Sequence, residues 1–247
     1  MLKLNGHEVN VTFFPDATSQ VWKIDPKFFM PDDNVIRWEF ANEAEFMQLA
    51  QLKNLLDMNY GFNTTLELPY LPYARQDKEI VNEATFAFYT FAELLNTLNF
   101  AAVYVYDPHN VDLTNQLIDE VKITMPNVLK ICQWAKNAVP VYPDAGAAKR
   151  YGASNRALRC EKVREASTGK ILGVKVIGKV KPVSYVIIDD ICDGGRTFIE
   201  VAKKLYEAGA KEVHLYISHG IFSKGLEPLR QAGIKRIFTR NGEVKGA

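Results

Sequence analysis

The chain has 247 residues, of which 47% are apolar and 24% are charged, and its formal net charge is +1. This composition is typical of a folded protein with one or two domains and excludes a disordered chain. A net charge so close to zero gives no basis for binding a nucleic acid or an anionic membrane, so small molecules are the expected partners.

The cysteines and the first residues bear on the cellular compartment. Cys132, Cys160 and Cys192 are odd in number and form no CxxC pair, which argues against a disulfide framework and a structural zinc site. The opening "MLKLNGHEVN" lacks the pattern of a signal peptide, and no run approaches the ~18 apolar residues of a membrane span. We therefore expect a cytoplasmic protein.

The apolar pattern of the first half predicts alternating strands and helices, which together form a first domain over residues 1–125. In chain order we expect strands at 8–14, 19–24 and 34–40, a helix at 44–58, a strand at 64–70, a helix at 84–98 and a strand at 101–107.

The second half repeats this alternation, and we expect a second domain over residues 126–247. The stretch from 111 to 136 has no clear period, and the domain boundary is placed within it. We then expect a strand within 138–146, a helix at 147–157, strands at 170–178 and 185–190, a helix from 198 to 209, and strands at 212–220 and 235–240. The predicted fold class is α/β, with mainly parallel sheets flanked by helices.

Polar clusters follow four of the predicted strands. In α/β sheets ligands bind beyond the carboxyl ends of the strands, where such clusters would meet. Each cluster alone is more typical of a turn or a solvated surface, so their convergence is the signal. They are "PYARQD" at 72–77, "DPH" at 107–109, "PDAG" at 143–146 and "DDICDGGRT" at 189–197.

The last cluster has the order strand, acids, glycines and helix, which is typical of an anion site. Backbone N–H groups at a helix start can hold a phosphate, and Thr197 can add a hydroxyl donor. Asp189 and Asp190 repel a phosphate, but they can accept hydrogen bonds from sugar hydroxyls. The pattern favours a phosphorylated sugar as ligand, with a metal site as the competing interpretation.

These motifs carry a resemblance to a known family. "VIIDDICDGGRT" at 186–197 resembles the ribose-5-phosphate signature of phosphoribosyltransferases and of ribose-phosphate pyrophosphokinases, also called PRPP synthetases. "LPYLPYARQDK" at 68–78 is similar to the nucleotide-binding segment of the pyrophosphokinases. Further similarities occur in the family's order, at "FPDATSQVWKI", "DPH", "VYPDAG" and "EKVR".

The resemblance implies two phosphoribosyltransferase-like domains, an active site between them, and transfer of the diphosphate of ATP to ribose 5-phosphate with Mg²⁺. It implies that Lys162 and Arg164 act as catalytic residues on a mobile loop. It assigns ATP binding to Phe14, Asp16, Arg75, Gln76 and Asp77, Mg²⁺ binding to His109 and Asp144, and ribose 5-phosphate binding to Asp189, Asp190, Asp193, Gly194, Gly195, Arg196 and Thr197.

The sequence departs from the family at the phosphate loop, where Gly194, Gly195 and Arg196 stand in place of the usual Thr-Gly-Gly. A guanidinium there could bind a second phosphate group, so a larger acceptor such as ADP-ribose is an alternative. A catalytically silent regulatory homologue and a phosphoribosyltransferase that consumes PRPP are further alternatives. The resemblance also implies a homo-oligomer.

Overall fold

The computed structural model describes residues 1–61, 63–78, 84–152, 156–164 and 171–245, with the backbone alone at 60, 162–164, 171 and 172. The chain divides into two compact units, Met1–Met125 and Pro126–Ala247, and each unit has a sheet of its own. In the part of the chain that the structure describes, no helix is both long and apolar enough to cross a membrane.

The first unit is built on a mainly parallel sheet with the strand order β2-β1-β5-β6-β7-β8. Strands β5 to β8 run parallel, while β1 is antiparallel to both β2 and β5. The strands are β1 (Leu2–Leu4), β2 (His7–Glu8), β5 (Asn34–Trp38), β6 (Thr64–Leu68), β7 (Ala102–Tyr106) and β8 (Val121–Thr124), and a separate antiparallel pair contains β3 (Val11–Phe13) and β4 (Ser19–Val21).

The hairpin of β1 and β2 was not predicted, although its turn carries a strong sequence signal. Leu4 is paired with His7, so Asn5 and Gly6 form a two-residue loop. Their φ angles of 49° and 84° are both positive, as a type I′ turn requires, and Asn-Gly is a preferred pair for that turn.

Helices cover the sheet of the first unit. They are α1 (Glu45–Tyr60), α2 (Ala87–Asn96) and α3 (Val111–Leu117), with a 3₁₀ helix at Pro26–Phe28. The apolar face of α1 packs into the core, where Leu49, Leu52 and Leu56 are fully buried. Helix α2 is shorter than predicted because it begins at Ala87 rather than at residue 84.

The second unit has a sheet with the strand order β11-β10-β9-β12-β13-β14-β15. Strands β10, β9, β12, β13 and β14 are parallel, and antiparallel strands close both edges. The elements are α4 (Val128–Trp134), β9 (Val139–Tyr142), α5 (Ala145–Tyr151), β10 (Leu158–Arg164), β11 (Ile171–Ile177), β12 (Ser184–Cys192), α6 (Arg196–Glu207), β13 (Glu212–Gly220), α7 (Glu227–Gln231), β14 (Ile234–Thr239) and β15 (Gly242–Glu243).

Two predictions for the segment that includes α5 and β10 are wrong. The helix expected at 147–157 begins earlier and ends at Tyr151, and the segment expected to be a loop at Lys162 and Arg164 is a strand that pairs with β11. The physical reason is a period of two, in which Leu158 and Cys160 are buried while Arg159 and Glu161 are exposed. Alternation of this kind favours a half-buried strand over a solvated charged segment.

The order of strands in the second unit places a crevice beside β12. The chain leaves β9 toward β10 on one side and leaves β12 toward β13 on the other, so the connections diverge between β9 and β12. Ile187 of β12 lies opposite Val141 of β9 in parallel register, which brings the carboxyl ends of both strands to the same edge. Ligands of open α/β sheets bind at such a point.

Candidate functional site

Two adjacent acids near the end of β12 form the centre of the candidate site, and we call Asp189 and Asp190 the acidic pair. Successive residues of a strand face opposite sides of the sheet. Val186 and Ile188 pack into the core cluster that includes α5 residues, whereas Tyr185 and Ile187 pack into the cluster that includes α6 residues. By this alternation Asp190 belongs to the α5 side of the sheet and Asp189 to the α6 side.

Arg150 of α5 is the cation of the acidic pair. Its Nη1 atom lies 2.8 Å from Oδ1 of Asp190 and 3.6 Å from Oδ1 of Asp189. The side chains of Arg150 and Asp190 are 10% and 4% exposed, and that of Asp189 is 18% exposed. The guanidinium therefore forms a nearly buried ion pair with Asp190 and a weaker contact with Asp189.

The electrostatics of the acidic pair follow from burial and like charge. Burial raises the pKa of Asp189 well above its usual value, and the charge of Asp190 raises it further. The Oδ1 atom of Asp189 accepts a hydrogen bond of 3.0 Å from the backbone N–H of Asp190. Burial acts to lower the pKa of Arg150, but the charges and hydrogen bonds of Asp190 and Tyr151 together outweigh it, and the net shift is upward.

We call residues 193–197 the glycine loop, which comprises the three residues between β12 and α6 and the first two residues of α6. Gly195 has a φ of 74° and directly precedes α6, and a Cβ atom there would lie 2.9 Å from Cδ2 of Leu229. A side chain at this position would be strained in the left-handed conformation and would have to displace Leu229. Asp193 is exposed, Thr197 is half-buried, and the loop contains the first N–H groups of α6.

Arg196 and Lys224 are the cations beside the glycine loop. The Arg196 side chain is 86% exposed, and its Nε donates to Oε1 of Glu200 at 2.9 Å, one turn along α6. The aliphatic stem of Lys224 covers Gly194, since a Cβ atom at Gly194 would lie 3.6 Å from Cδ and Cε of Lys224. The segment that carries Lys224 is fixed to the end of β12 because the N–H groups of Ile221 and Phe222 both donate to the Cys192 carbonyl.

Asp144 follows β9 at the same edge of the sheet as the acidic pair. Its Oδ1 atom accepts from the Ala147 N–H at 3.0 Å and caps α5. Its charge contributes to the raised pKa of Asp189. Both are hard oxygen donors, and this chemistry fits Mg²⁺, which takes few protein ligands and completes its shell with water and phosphate.

The segment assigned to ATP lies beyond β6 in the first unit. Arg75 and Gln76 are exposed, and Asp77 is half-buried. The preceding turn is fixed by Tyr73, which has a φ of 61° and accepts from the Gln76 N–H at 2.7 Å. The Tyr73 hydroxyl donates to Oε1 of Glu43 at 2.5 Å, and this hydrogen bond raises the pKa of Tyr73 to about 12.

His109 follows β7, the neighbouring strand of β6 in the same sheet. Leu68 of β6 lies opposite Val105 of β7, so the segments that follow both strands leave the sheet at one edge. Asn110 joins them, since its Nδ2 donates to Oδ2 of Asp77 at 2.9 Å. The structure therefore brings His109 and the Arg75–Asp77 segment to one edge of the first unit.

Phe14 and Asp16 lie in the turn between β3 and β4. Both are exposed, and Ala17 has a φ of 66° in the same turn. Oδ1 of Asp16 accepts from the hydroxyl and the backbone N–H of Thr18, which lowers the pKa of Asp16. The turn thus presents an aromatic ring and a carboxylate to solvent.

For Lys162 and Arg164 the structure describes the backbone alone. Lys162 lies opposite Val174, and Arg164 lies opposite Ile171, in the antiparallel pair of β10 and β11. The residues that follow, 165–170, lie outside the described part of the chain.

Sequence reasoning missed Arg150 and Lys224. "AAKRYG" reads as the exposed end of a helix, and "FSKGLE" reads as a turn. Neither stretch shows that its cation lies against the acidic pair or the glycine loop, because both contacts are tertiary. Among the described residues, no group of three or more His, Cys, Asp and Glu side chains is placed to hold a metal ion by itself.

Comparison with known proteins identifies relatives over most of the chain, although no protein-family model matches it. The chain is 28% identical over 244 residues to a ribose-phosphate pyrophosphokinase of Mycoplasmopsis pulmonis, covering 94% of this chain and 75% of the relative. It is 28% identical over 243 residues to the ribose-phosphate pyrophosphokinase of Sulfolobus acidocaldarius, covering 92% of this chain and 82% of the relative.

The fold is similar to that of a solved structure, the phosphoribosylpyrophosphate synthetase of Mycobacterium smegmatis. The TM-score is 0.75 at 22% sequence identity, and the match covers 94% of this chain and 79% of that one. The predicted fold class, two phosphoribosyltransferase-like α/β domains with mainly parallel sheets, is confirmed.

Proposed function

The chain belongs to the ribose-phosphate pyrophosphokinase family, a family of diphosphotransferases, and on that premise we propose that it transfers the β,γ-diphosphate of ATP to the anomeric hydroxyl of ribose 5-phosphate. The anomeric oxygen attacks the β-phosphorus and the bond from that phosphorus to the α,β-bridging oxygen breaks. The hydroxyl proton is lost, and the products are PRPP and AMP. The protein contributes mainly positioning and charge stabilisation to such an in-line transfer.

The observation that carries this proposal is the junction of β12 and α6. The acidic pair offers carboxylate oxygens to hydroxyl groups, and the glycine loop leads within a few residues into the N-terminus of α6, which favours an anion. Ribose 5-phosphate carries vicinal hydroxyls on C2 and C3 and a phosphate on C5, so it offers one kind of group to the acids and the other to the start of the helix. Asp189, Asp190, Asp193, Gly194, Gly195, Arg196 and Thr197 are the proposed acceptor site.

The nucleotide would be held by the first unit. Arg75 and Gln76 are exposed donors beside the half-buried Asp77. Phe14 and Asp16, in the turn between β3 and β4, would contact the adenine. In a homo-oligomer this turn would come from a neighbouring subunit. His109 and Asp144 would bind Mg²⁺, which when bound neutralises charge on the polyphosphate.

Lys162 and Arg164 are the proposed catalytic residues, on the basis of the family resemblance of "EKVR". Cationic side chains suit the charge that develops as the β-phosphorus changes partners. Replacing either with methionine is expected to lower kcat by ~100-fold, the cost of one electrostatic donor.

A second acceptor, ADP-ribose, is favoured by the exposure of the cations at the glycine loop. Arg196 is 86% exposed, and Lys224 is exposed beside Gly194. In ADP-ribose the 5-phosphate is joined to a second phosphate and a nucleoside, so the site must be open to solvent at this point. Two exposed cations there can bind the second phosphate.

The test is incubation of the protein with ATP and Mg²⁺ and with each acceptor in turn, while AMP is measured. AMP formed with ribose 5-phosphate supports the first proposal, and AMP formed with ADP-ribose alone supports the second. ATP binding without AMP from either acceptor would contradict both and would favour a silent regulatory homologue. AMP formation that requires PRPP would indicate a different transfer reaction.

We further propose a homo-oligomer in a reducing, cytoplasmic compartment. Cys132, Cys160 and Cys192 are free thiols, and burial raises the pKa of Cys160 and of Cys192 to about 12, so that both stay protonated. Light scattering coupled to gel filtration measures the oligomeric state, and a monomeric mass under assay conditions would contradict the proposal.

A further inference from the structure

A cavity of the first unit takes no part in the proposed function. Its volume is about 340 Å³, which is enough for a small organic molecule. None of the residues that we propose to bind ATP, Mg²⁺ or ribose 5-phosphate, all of which the structure describes, lines it. We call it the aromatic cavity, and the described residues that define it are Trp38, Phe40, Glu43, Phe46, Tyr73 and Phe91.

Aromatic rings form the walls of this cavity. The ring centroid of Phe91 in α2 lies 5.3 Å from that of Tyr73 and 6.0 Å from that of Phe46. The Trp38 ring is 6.4 Å from that of Phe91 and is fully buried. Phe46 and Tyr73 are half-buried, so part of each side chain stays open to a ligand. A flat ring can stack on such side chains or meet their edges, so the cavity suits an aromatic ligand.

Glu43 supplies the charge of the aromatic cavity. Its Oε1 atom accepts from the Tyr73 hydroxyl at 2.5 Å, and among the described residues its Oε2 atom has no hydrogen-bond partner. None of the described residues that line the cavity is Lys, Arg or His. A carboxylate without a cation beside it, together with ring faces that attract positive charge, favours a cationic ligand and disfavours a phosphate.

We propose that the aromatic cavity is a second ligand site, which takes a planar aromatic ring with a positively charged nitrogen head group. The ring lies against Phe46, Tyr73 and Phe91, and the head group donates to Oε2 of Glu43. Because phosphates are disfavoured there, the ligand belongs to a different chemical class from ATP and ribose 5-phosphate. The inference goes beyond the proposed function and does not depend on it, since none of the residues assigned to that function defines the cavity.

The first arm of the test measures the binding of benzamidine, benzamide and benzoate by titration calorimetry. The three probes share one ring and nearly one shape, and they carry a positive charge, no charge and a negative charge. Benzamidine is expected to bind ~5-fold more tightly than benzamide, the gain typical of an exposed ion pair, and benzoate is expected to bind most weakly. Equal affinities, tighter binding of benzoate, or no heat of binding from any probe at millimolar concentration would overturn the inference.

The second arm uses variants of the cavity. Glu43→Gln is expected to bring the affinity for benzamidine to within ~2-fold of that for benzamide, because the ion pair is lost. Glu93→Gln, at an exposed position of α2 outside the cavity lining, is the matched control and should keep the wild-type preference. Thr90→Trp fills the cavity from an exposed position of its lining and should abolish binding of both probes. A preference that survives Glu43→Gln, or binding that survives folded Thr90→Trp, places the probes elsewhere and contradicts the inference.

The third arm locates the probe with 5-fluorotryptophan and ¹⁹F NMR. The chain has three tryptophans, and Trp38 lines the cavity with its indole N–H fixed on Oε2 of Glu45 at 2.9 Å, whereas Trp22 and Trp134 lie outside the lining. Benzamidine is expected to shift the Trp38 resonance alone, and saturating ATP should leave that shift in place. An unshifted Trp38 resonance refutes the location, and reversal by ATP would assign the cavity to the nucleotide instead. All three arms measure binding without turnover, so their outcomes are separate from whether the protein forms AMP.

Discussion

The acidic pair and the glycine loop are adjacent in the chain but differ in their surroundings. The acidic pair is largely buried and fixed by the Arg150 ion pair, whereas the glycine loop has Asp193, Arg196 and Lys224 exposed around it. Charges and dipoles that are already fixed in the folded state need no rearrangement when a ligand binds, so they select that ligand strictly. An exposed loop can adjust to ligands that differ in size. For the proposed acceptor site, we therefore expect rigid recognition of the sugar hydroxyls and adaptable recognition of the phosphate.

The largest expected effect is on Asp189. Replacing Asp189 with asparagine is expected to lower kcat/KM for the acceptor by ~100-fold, because a charged acceptor of hydroxyl hydrogen bonds is lost. Steady-state AMP formation measures it, with Asp119→Asn at an exposed position of the first unit as the control. A variant with unchanged kcat/KM would remove Asp189 from the acceptor site.

The same substitution is expected to leave stability unchanged or to raise it at pH 8. The folded-state pKa of Asp189 lies above its unfolded value, so stability from its protonated form is present at low pH and is lost as the pH rises through the folded pKa. Asparagine does not titrate, so the variant avoids this loss of stability. Its gain in the free energy of unfolding over the wild type should therefore shrink toward pH 5. Denaturant unfolding at both pH values measures this, and an advantage that grows on acidification would contradict the assignment.

The next effect concerns the backbone of the glycine loop. Gly195→Ala places a Cβ atom 2.9 Å from Leu229 at a φ of 74°, and we expect a loss of about 1–3 kcal/mol in the free energy of unfolding. Gly194→Ala is the matched control, because its Cβ atom meets the Lys224 stem at an ordinary 3.6 Å. Urea unfolding compares them, and equal losses would show that the loop lacks the conformation described.

A smaller effect is expected from Lys224. Replacing it with methionine keeps the aliphatic stem over Gly194 and removes the charge, so acceptor KM should rise by ~3- to 10-fold, typical of an exposed cation. Lys203→Met, an exposed lysine of α6, is the control for general loss of charge. An identical change in both variants would show that Lys224 acts only through the overall field.

The smallest effect is expected from Arg196. Its ion pair with Glu200 is exposed, so Arg196→Ala should change the free energy of unfolding by less than ~0.5 kcal/mol. With ribose 5-phosphate as acceptor, kcat/KM should fall by no more than ~3-fold, because a highly exposed cation of the proposed acceptor site adds little binding free energy. A selective loss with ADP-ribose would favour the larger acceptor, and a large loss with ribose 5-phosphate would show that Arg196 leaves Glu200 to bind substrate.

The residues of this site also differ in how well the sequence alone predicts them. The acidic pair and the glycine loop are contiguous in the chain, so their residue types and spacing could be recognised directly. Arg150 lies about forty residues earlier and Lys224 about thirty later, and only the parallel register of β9 with β12 and the return of the chain after β13 bring them close.

Two local features were misread for different physical reasons. Strand β10 carries charges at four of its seven positions, and these masked its buried Leu158 and Cys160. The β1–β2 hairpin has the Asn-Gly signal of a type I′ turn, but its strands have only three and two residues, too short for a pattern of alternation. Pairing with β5 supplies the stability that the short strands lack.

We propose above all that the β12–α6 junction binds the sugar that receives the β,γ-diphosphate of ATP as one unit. The most direct measurement uses ATP labelled at the γ-phosphate with ³²P, Mg²⁺ and ribose 5-phosphate, with the wild type and Asp189→Asn side by side. We predict that the label appears in the sugar product in a one-to-one ratio with AMP, and that Asp189→Asn suppresses both. Label released as orthophosphate, ADP as the nucleotide product, or undiminished transfer by Asp189→Asn would contradict the account.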